Sequence, residues 1–360
     1  MGATLKLIAP VCLAAGLALA QDAASQGTAP SKTTEQVYKN IQVLKGLPAP
    51  QLEAAMALMT GALGVRCGHC HSNSFERDDK PAKQTARRMI QMVFELNQGR
   101  FDGRDAVTCY TCHRGEPKPA AVLALGRNLW EPTRAGAAQS EATLPTADQV
   151  LHNHLQAVGG AAALARITAR VAKGSRVGAD GVLVPEEVYQ KAPNKLLIVT
   201  KYPEVVFQVG FDGGHGWARD SRGGSGAQIP DEQLAQLERD AELYGDIKLK
   251  ELYPQIMFEG KADVGGREAY VLAAVSRKGR AEKLYFDART GLLIRRYREF
   301  KTALGQFPTQ TDYEDYREVD GVKLPFTTRW SMPGRVWGRR ITEVKHNVPL
   351  EDSLFTPPGG

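Results

Sequence analysis

Cysteine is scarce and unevenly placed. The 360 residues hold five, at positions 12, 67, 70, 109 and 112, and none beyond. After residue 20 no apolar run is long enough to span a bilayer, which excludes a polytopic membrane chain. An excess of charge of one sign is lacking too: 46 Lys and Arg are interspersed with 40 Asp and Glu, so charge gives no argument for nucleic acid binding. The sequence contains no Gly-x-Ser-x-Gly elbow, no His-Glu-x-x-His and no Gly-Lys-Ser/Thr loop, which removes the usual hydrolase and phosphate-binding signatures. With 42% hydrophobic and 24% charged residues, the chain is neither disordered nor collagen-like.

The start of the chain accounts for the odd cysteine. Lys6 is the sole charge before Asp22, residues 7–20 are apolar, and Ala18-Leu19-Ala20 is a small-x-small cleavage site. The pattern predicts an export signal over residues 1–20, cut after Ala20 and taking Cys12 with it. Ala9-Pro10-Val11 does not suit a lipoprotein site. The expected location is the periplasm, with association to a membrane surface left open.

Four cysteines in an oxidising compartment suggest two disulfides, but their spacing argues otherwise. They form Cys67-Gly68-His69-Cys70-His71 and Cys109-Tyr110-Thr111-Cys112-His113, two copies of the C-x-x-C-H pattern of c-type haem attachment. Two thiols add to the two vinyl groups, and the histidine that follows offers a ring nitrogen to the iron. Thus Cys67, Cys70, Cys109 and Cys112 are expected as thioether anchors of two covalent haem c groups, with His71 and His113 as proximal iron ligands. A zinc site from paired C-x-x-C units has about 15–20 residues between pairs. Here 38 residues intervene, and each pair has its own extra histidine. No βαβ pattern supports a thioredoxin-like pair.

Each motif follows a helical stretch containing methionines. Pro48 and Pro50 precede Gln51 to Arg66, where Met56 and Met59 share a face. Lys83 to Leu96 is helical in pattern, with Met89, Met92, Val93 and Leu96 on one side, before a Gly- and Asp-rich loop over 97–106. A methionine on a helix face ordinarily packs in the core. Next to these motifs, one per helix is expected as a distal ligand and the other against the macrocycle.

Residues 35–120 resemble the photosynthetic reaction-centre cytochrome c subunit and its non-photosynthetic bacterial relatives. The matching residues are Met56, Leu63-Gly64-Val65 with the first motif, Ala86-Arg87-Arg88-Met89-x-x-Met92, Glu95-Leu96-Asn97, Val107-Thr108 with the second motif, Gly115 and Pro119. The resemblance implies that each haem follows a ligand-bearing helix and that most distal ligands are methionine. Met56, eleven residues before Cys67, falls at the family's ligand position. That family carries four haems, one with a histidine from elsewhere, whereas this chain has two motifs. Met89 and Met92 are then alternatives for the second haem, and docking to a photosynthetic reaction centre is not implied. Arg66, Arg87, Arg88 and Arg114 are near enough in sequence to meet propionates, although for each a solvated arginine is the better expectation.

The rest of the chain reads as a linker over 121–147 and a second domain over 148–360, against a haem domain over 31–120. Asp148 is a plausible helix N-cap. From residue 169 strands predominate: 184–189, 196–201, 205–210, 269–275, 283–286, 292–297, 315–319 and 322–330, with one helix near 231–243. Asp320-Gly321 is a two-residue hairpin signal. The Tyr285-to-Leu293 hairpin, the Asp320-to-Phe326 hairpin and the closing Asn347-to-Phe355 segment are similar in pattern to periplasmic lipoprotein carriers of the outer-membrane sorting type. That similarity implies an incomplete barrel able to hold an apolar ligand. His152 and His154 are expected on the surface, and His215 and His346 stand alone.

The fold class expected is therefore α+β: a mainly helical haem domain, then a curved antiparallel β half-barrel with a few helices. The function expected is periplasmic electron transfer by a dihaem cytochrome between redox partner proteins, with the β domain docking or holding a lipid or quinone. The alternatives are a peroxidase-like dihaem oxidoreductase with one open site, and a lipid- or quinone-binding protein with redox-active haems. An electron carrier is favoured over an enzyme.

Overall fold

The computed structural model describes residues 32–119, 144–178, 181–222, 229, 231–302 and 304–357. The expected signal segment with Cys12, and the expected linker up to residue 143, lie outside the described residues.

The helices are α1 (Thr34–Val37), α2 (Gln51–Leu63), α3 (Pro81–Arg100), α4 (Cys109–His113), α5 (Ala147–Ala157), α6 (Gly160–Ala165), α7 (Asp231–Ala241) and α8 (Leu249–Leu252). The strands are β1 (Ala169–Val177), β2 (Leu183–Lys191), β3 (Lys195–Lys201), β4 (Val206–Phe211), β5 (Gly216–Asp220), β6 (Gln255–Asp263), β7 (Glu268–Val275), β8 (Ala281–Asp287), β9 (Leu293–Thr302), β10 (Gly305–Val319), β11 (Val322–Met332) and β12 (Arg335–His346). All twelve join one open sheet in the order β5-β4-β3-β2-β1-β12-β11-β10-β9-β8-β7-β6, and every pairing is antiparallel. The first strand pairs with the last at the middle of the sheet, so neither half closes without the other.

Helices α5, α6 and α7 cover one face. Val150 and Leu151 of α5 pack on Leu272, Leu284, Phe286 and Leu293. Leu164 of α6 meets Val322, Leu324 and Phe326. Leu237 and Ala241 of α7 meet Ala172, Val188, Leu196 and Phe211. Alternation along β3 sends Leu197 and Val199 to the opposite face, where Phe355 of the closing turn is fully buried against them. The expected Asp320-Gly321 hairpin is present, with both residues at positive φ (52° and 79°), as a two-residue turn matched to strand twist requires.

Several details differ from the sequence reading. α5 is capped by Thr146, whose hydroxyl accepts from Gln149 N–H, rather than by Asp148. α3 begins at Pro81 and continues to Arg100, because proline suits the first helical turn and the Gly-Asp loop starts later than expected. On α3, Val93 faces inward with Ile90, Lys83 and Asn97, while Met89, Met92 and Leu96 are exposed. His154 is buried, not on the surface as expected: it is 1% exposed, with Nδ1 donating to Gly291 O and Nε2 against Asp246 (3.1 Å each). Both of its ring nitrogens are engaged, so it is a core hydrogen-bonding residue. His152 is exposed, as expected.

The helical segment leans on one end of the sheet. Leu44, Ala55 and Leu58 of α2 and its lead-in, with Ile90 of α3, share a cluster with Leu304 and Phe307, and Met332 of β11 packs against it. Phe307 is 2% exposed; burying a phenylalanine stabilises by about 1.5–3 kcal/mol. Gly305, at φ +123°, passes so close to Thr108 that an added Cβ would lie 2.7 Å from its methyl carbon. The β9–β10 turn thus touches the residue just before the second cysteine motif.

Candidate functional site

The first motif forms a 3₁₀ turn over Cys67–His69. The N–H groups of Cys70 and His71 both return to Cys67 O (3.3 and 3.0 Å), which holds the two cysteines and the histidine in one turn. His71 Nδ1 donates to Phe75 O (3.2 Å), and the Phe75 ring stacks edge-on against the imidazole at 5.1 Å. Burial holds His71 below its ordinary pKa and raises the Cys70 thiol above its own.

The loop after this motif is fastened by charged residues, of which the sequence singles out only Arg87, and that as a solvated arginine. Lys83 is buried, and its ammonium donates to Phe75 O (2.8 Å) and Arg77 O (2.6 Å) and pairs with Asp78 (3.1 Å). Arg87 pairs with Asp78 at 2.8 Å and donates to Asn40 O at 3.2 Å. Asn40 Nδ2 also donates to Asp78 (3.0 Å). The Arg87 hydrogen bond, aided by those from Lys83 and Asn40, holds Asp78 well below the usual carboxylate range. Arg87 is therefore committed to the loop. Lys80 donates to Gly68 O, inside the motif.

The second motif is the short helix α4. Thr108 N–H donates to Thr111 Oγ1 (3.0 Å) at its start, and His113 Nδ1 donates to Glu116 O (3.0 Å) at its end. The approach to it is fixed by Asn97, which is buried. Its Nδ2 donates to Val107 O (2.8 Å), and its Oδ1 accepts from Val107 N–H (2.9 Å). Asn97 thus acts as a two-pronged backbone surrogate two residues before Cys109. Its place in the Glu95-Leu96-Asn97 run was the one signal available in the sequence. Burial raises the Cys109 thiol above its ordinary pKa.

The two motifs are brought side by side. Gly115 N–H donates to Ala62 O (2.8 Å), joining the second residue after the second motif to the last turn of α2. Gly64 caps α2 in the left-handed conformation (φ +64°), and a Cβ there would lie 2.0 Å from Gly115 O.

The donor set fits covalent haem c. A metal-bound histidine commonly donates its other ring N–H to a backbone carbonyl, which fixes tautomer and ring orientation. His71 and His113 both do so through Nδ1, leaving Nε2 free to ligate. The four thiols form no disulfide. Among the described residues no three His, Cys, Asp or Glu side chains converge as a metal site, which is not the arrangement of a Cys₄ zinc centre. Met89 and Met92 are 37% and 39% exposed, and with Leu96 they leave an apolar stripe on α3 open. Met56 and Met59 are partly buried against the cluster shared with Phe307.

Residues 13–156 match the family model described as the photosynthetic reaction centre cytochrome C subunit. Over this stretch the chain is similar to that subunit. The Rubrivivax gelatinosus protein of this description is 34% identical over 91 residues, which is 24% of this chain and 25% of that one. Cytochrome c-554 of Chloroflexus aurantiacus is 37% identical over 90 residues, 22% of this chain and 20% of that one. The chain thus spans about a quarter of the length of these curated relatives. Among solved structures, a putative outer membrane lipoprotein-sorting protein domain from Vibrio parahaemolyticus is similar over 58% of this chain and 97% of its own, at 13% identity and TM-score 0.40. Among the described residues no helix is long and apolar enough to cross a membrane.

Proposed function

We propose that the protein is an exported dihaem c-type cytochrome that passes electrons between redox partner proteins in the periplasm. The observation that carries this reading is the duplicated turn: two thiols and a histidine in each, with both imidazoles held through Nδ1 by a backbone carbonyl. The haem iron supplies the one-electron chemistry, cycling between Fe(II) and Fe(III). The chain supplies the rest. Cys67 and Cys70, and Cys109 and Cys112, tether; His71 and His113 ligate through Nε2. Phe75 O and Glu116 O fix the rings, and the Lys83–Asp78–Arg87 group and Asn97 hold the two turns. Met56 is the proposed distal ligand of the first haem, and Met89 or Met92 that of the second. The contact between Gly115 and α2 supports a short path between the two centres.

The proposed domains are a haem domain over 31–120 and a β domain over 148–360. The second braces the first through Leu304 and Phe307 and serves for docking or for holding a mostly apolar ligand. A redox titration followed by optical and EPR spectroscopy tests the reading. Two c-type haems per chain, both low-spin when ferric and slow to take up carbon monoxide or cyanide, are expected. A single haem would overturn the dihaem assignment, and a high-spin ferric signal would favour the oxidoreductase alternative.

A further inference from the structure

Between α7 and the sheet lies a cavity of about 150 Å³. Its lining includes the apolar Leu196 and Ile198 of β3 and the polar or charged Arg170, Gln190, Asp240, Tyr313 and Arg339. Other arginines on this face, one of them also lining the cavity, are neutralised at short range. Arg339 meets Glu186 at 2.5 Å, and Arg239 and Arg296 share Glu282 at 3.1 and 3.5 Å. Arg170 differs. Its two hydrogen bonds go to neutral acceptors, His346 Nε2 (3.2 Å) and Gln190 Oε1 (3.3 Å). His346 accepts there because its Nδ1–H is donated to Asp320 (3.0 Å). Asp246 acts on Arg170 only at longer range and is itself bonded to His154. Asp240, which also lines the cavity, accepts from Gln190 Nε2 at its backbone carbonyl (2.6 Å) and from Gln236 at its carboxylate (2.7 Å), and burial raises its carboxyl above the usual range, which weakens it as a counter-ion. Among the described residues, two of the five guanidinium donors of Arg170 are thus engaged, and both acceptors are uncharged, in a setting where arginine normally finds a carboxylate.

We infer that this cavity binds a small amphipathic carboxylate, with Arg170 as the counter-ion of the acid group and Leu196 and Ile198 against the apolar body. The geometry suits a planar, two-oxygen acid, since guanidinium donors match carboxylate in a fork. The size sets the class. A dry cavity of about 150 Å³ accepts a benzene ring, whereas drug-sized ligands need roughly 300–1,000 Å³. The occupant is therefore a ring-bearing or short-chain acid rather than a long acyl chain. This inference deepens the ligand-holding part of the proposed function and is independent of the haem assignment.

The test uses the full haem-loaded chain, with benzoate and its neutral counterpart benzyl alcohol as probes, read by calorimetric titration. Benzoate should bind one per chain, and benzyl alcohol should bind weaker by about tenfold or more, the scale of one charge-assisted hydrogen bond. Arg170→Gln should remove that preference and Arg170→Lys should restore part of it. Leu196→Phe, which fills the apolar side, should abolish binding of both probes. Equal binding of the two probes would overturn the carboxylate assignment while leaving an apolar cavity. Binding of neither would overturn both. The wild-type comparison needs no variant, so a misfolded substitution cannot rescue the idea.

Discussion

Gly64, at the end of the helix before the first cysteine motif, is in backbone contact with Gly115, at the end of the second: a Cβ on Gly64 would lie 2.0 Å from Gly115 O. Gly64→Ala therefore meets two obstacles at once. The left-handed φ of +64° costs an L-residue roughly 1–2 kcal/mol, and the clash is with backbone, which cannot swing away. The variant should melt lower and carry less covalent haem per chain. Gly99→Ala is the control, since nothing lies within 4 Å of its added Cβ and it lies outside both motifs; melting temperature and haem content should stay near wild type. Equal behaviour of the two variants would contradict the close approach.

Asn97→Ala removes both bonds to Val107 (2.8 and 2.9 Å) and leaves that backbone pair unsatisfied near the interior. A loss of about 1–3 kcal/mol is expected on denaturant unfolding. The second haem should be affected before the first. Haem-resolved optical spectra check this, and an equal effect on both centres would count against a local role.

The acid behaviour of the first loop follows from Asp78, whose folded pKa lies well below the 3.8 of the free carboxyl. A depressed folded value stabilises above the unfolded pKa and loses that contribution as pH falls toward the folded one. The melting temperature of wild type should therefore exceed that of Asp78→Asn at neutral pH. The gap should stay constant down to about pH 5 and narrow below about pH 4. A gap that widened on acidification would refute this sign.

Axial ligation separates three methionines. Met56→Ala should turn one haem high-spin and lower its potential, since methionine ligation raises the potential. Either Met89→Ala or Met92→Ala should do so at the other haem, while its partner leaves the spectrum nearly unchanged. If none of the three alters a haem spectrum, the ligand assignment fails.

Phe307 joins the sheet to the helical segment. Phe307→Ala should cost about 3–5 kcal/mol, and the loss should appear in haem circular dichroism as well as in sheet melting, because its cluster includes Leu58 of α2. A variant that destabilised the sheet and left the haem signals untouched would show that the cluster does not couple them.

The cysteine turns were legible because their chemistry is local, contained in five consecutive residues. What holds them was not. Lys83, Asp78 and Asn40 read as surface polar residues, and their association depends on a chain path that brings residue 40 beside residue 78. The same holds in the sheet. β12, with Arg335, Arg339, Arg340 and Lys345, shows no clean alternation, so it was missing from the expected strands. Its Arg339 points to Glu186 on β2, a partner about 150 residues earlier. β6 was missed for a related reason: it lies at the sheet edge and its exposed face alternates with a half-buried one. His154 was misplaced because its partners, Asp246 and Gly291, are remote in sequence. Hydrophobic period and turn residues marked most remaining strands to within a few positions.

The cluster shared by Leu58 and Phe307 also sets an order of events. During synthesis the segment with the cysteines emerges first, while the strands it leans on, β9 to β12, come last. Closing so long a loop is slow relative to forming local helices. The nascent chain therefore passes through a stage in which α2 is formed but its seat is missing. During that stage the four thiols stay accessible, and the late docking of β9–β12 then completes the cluster that holds α2.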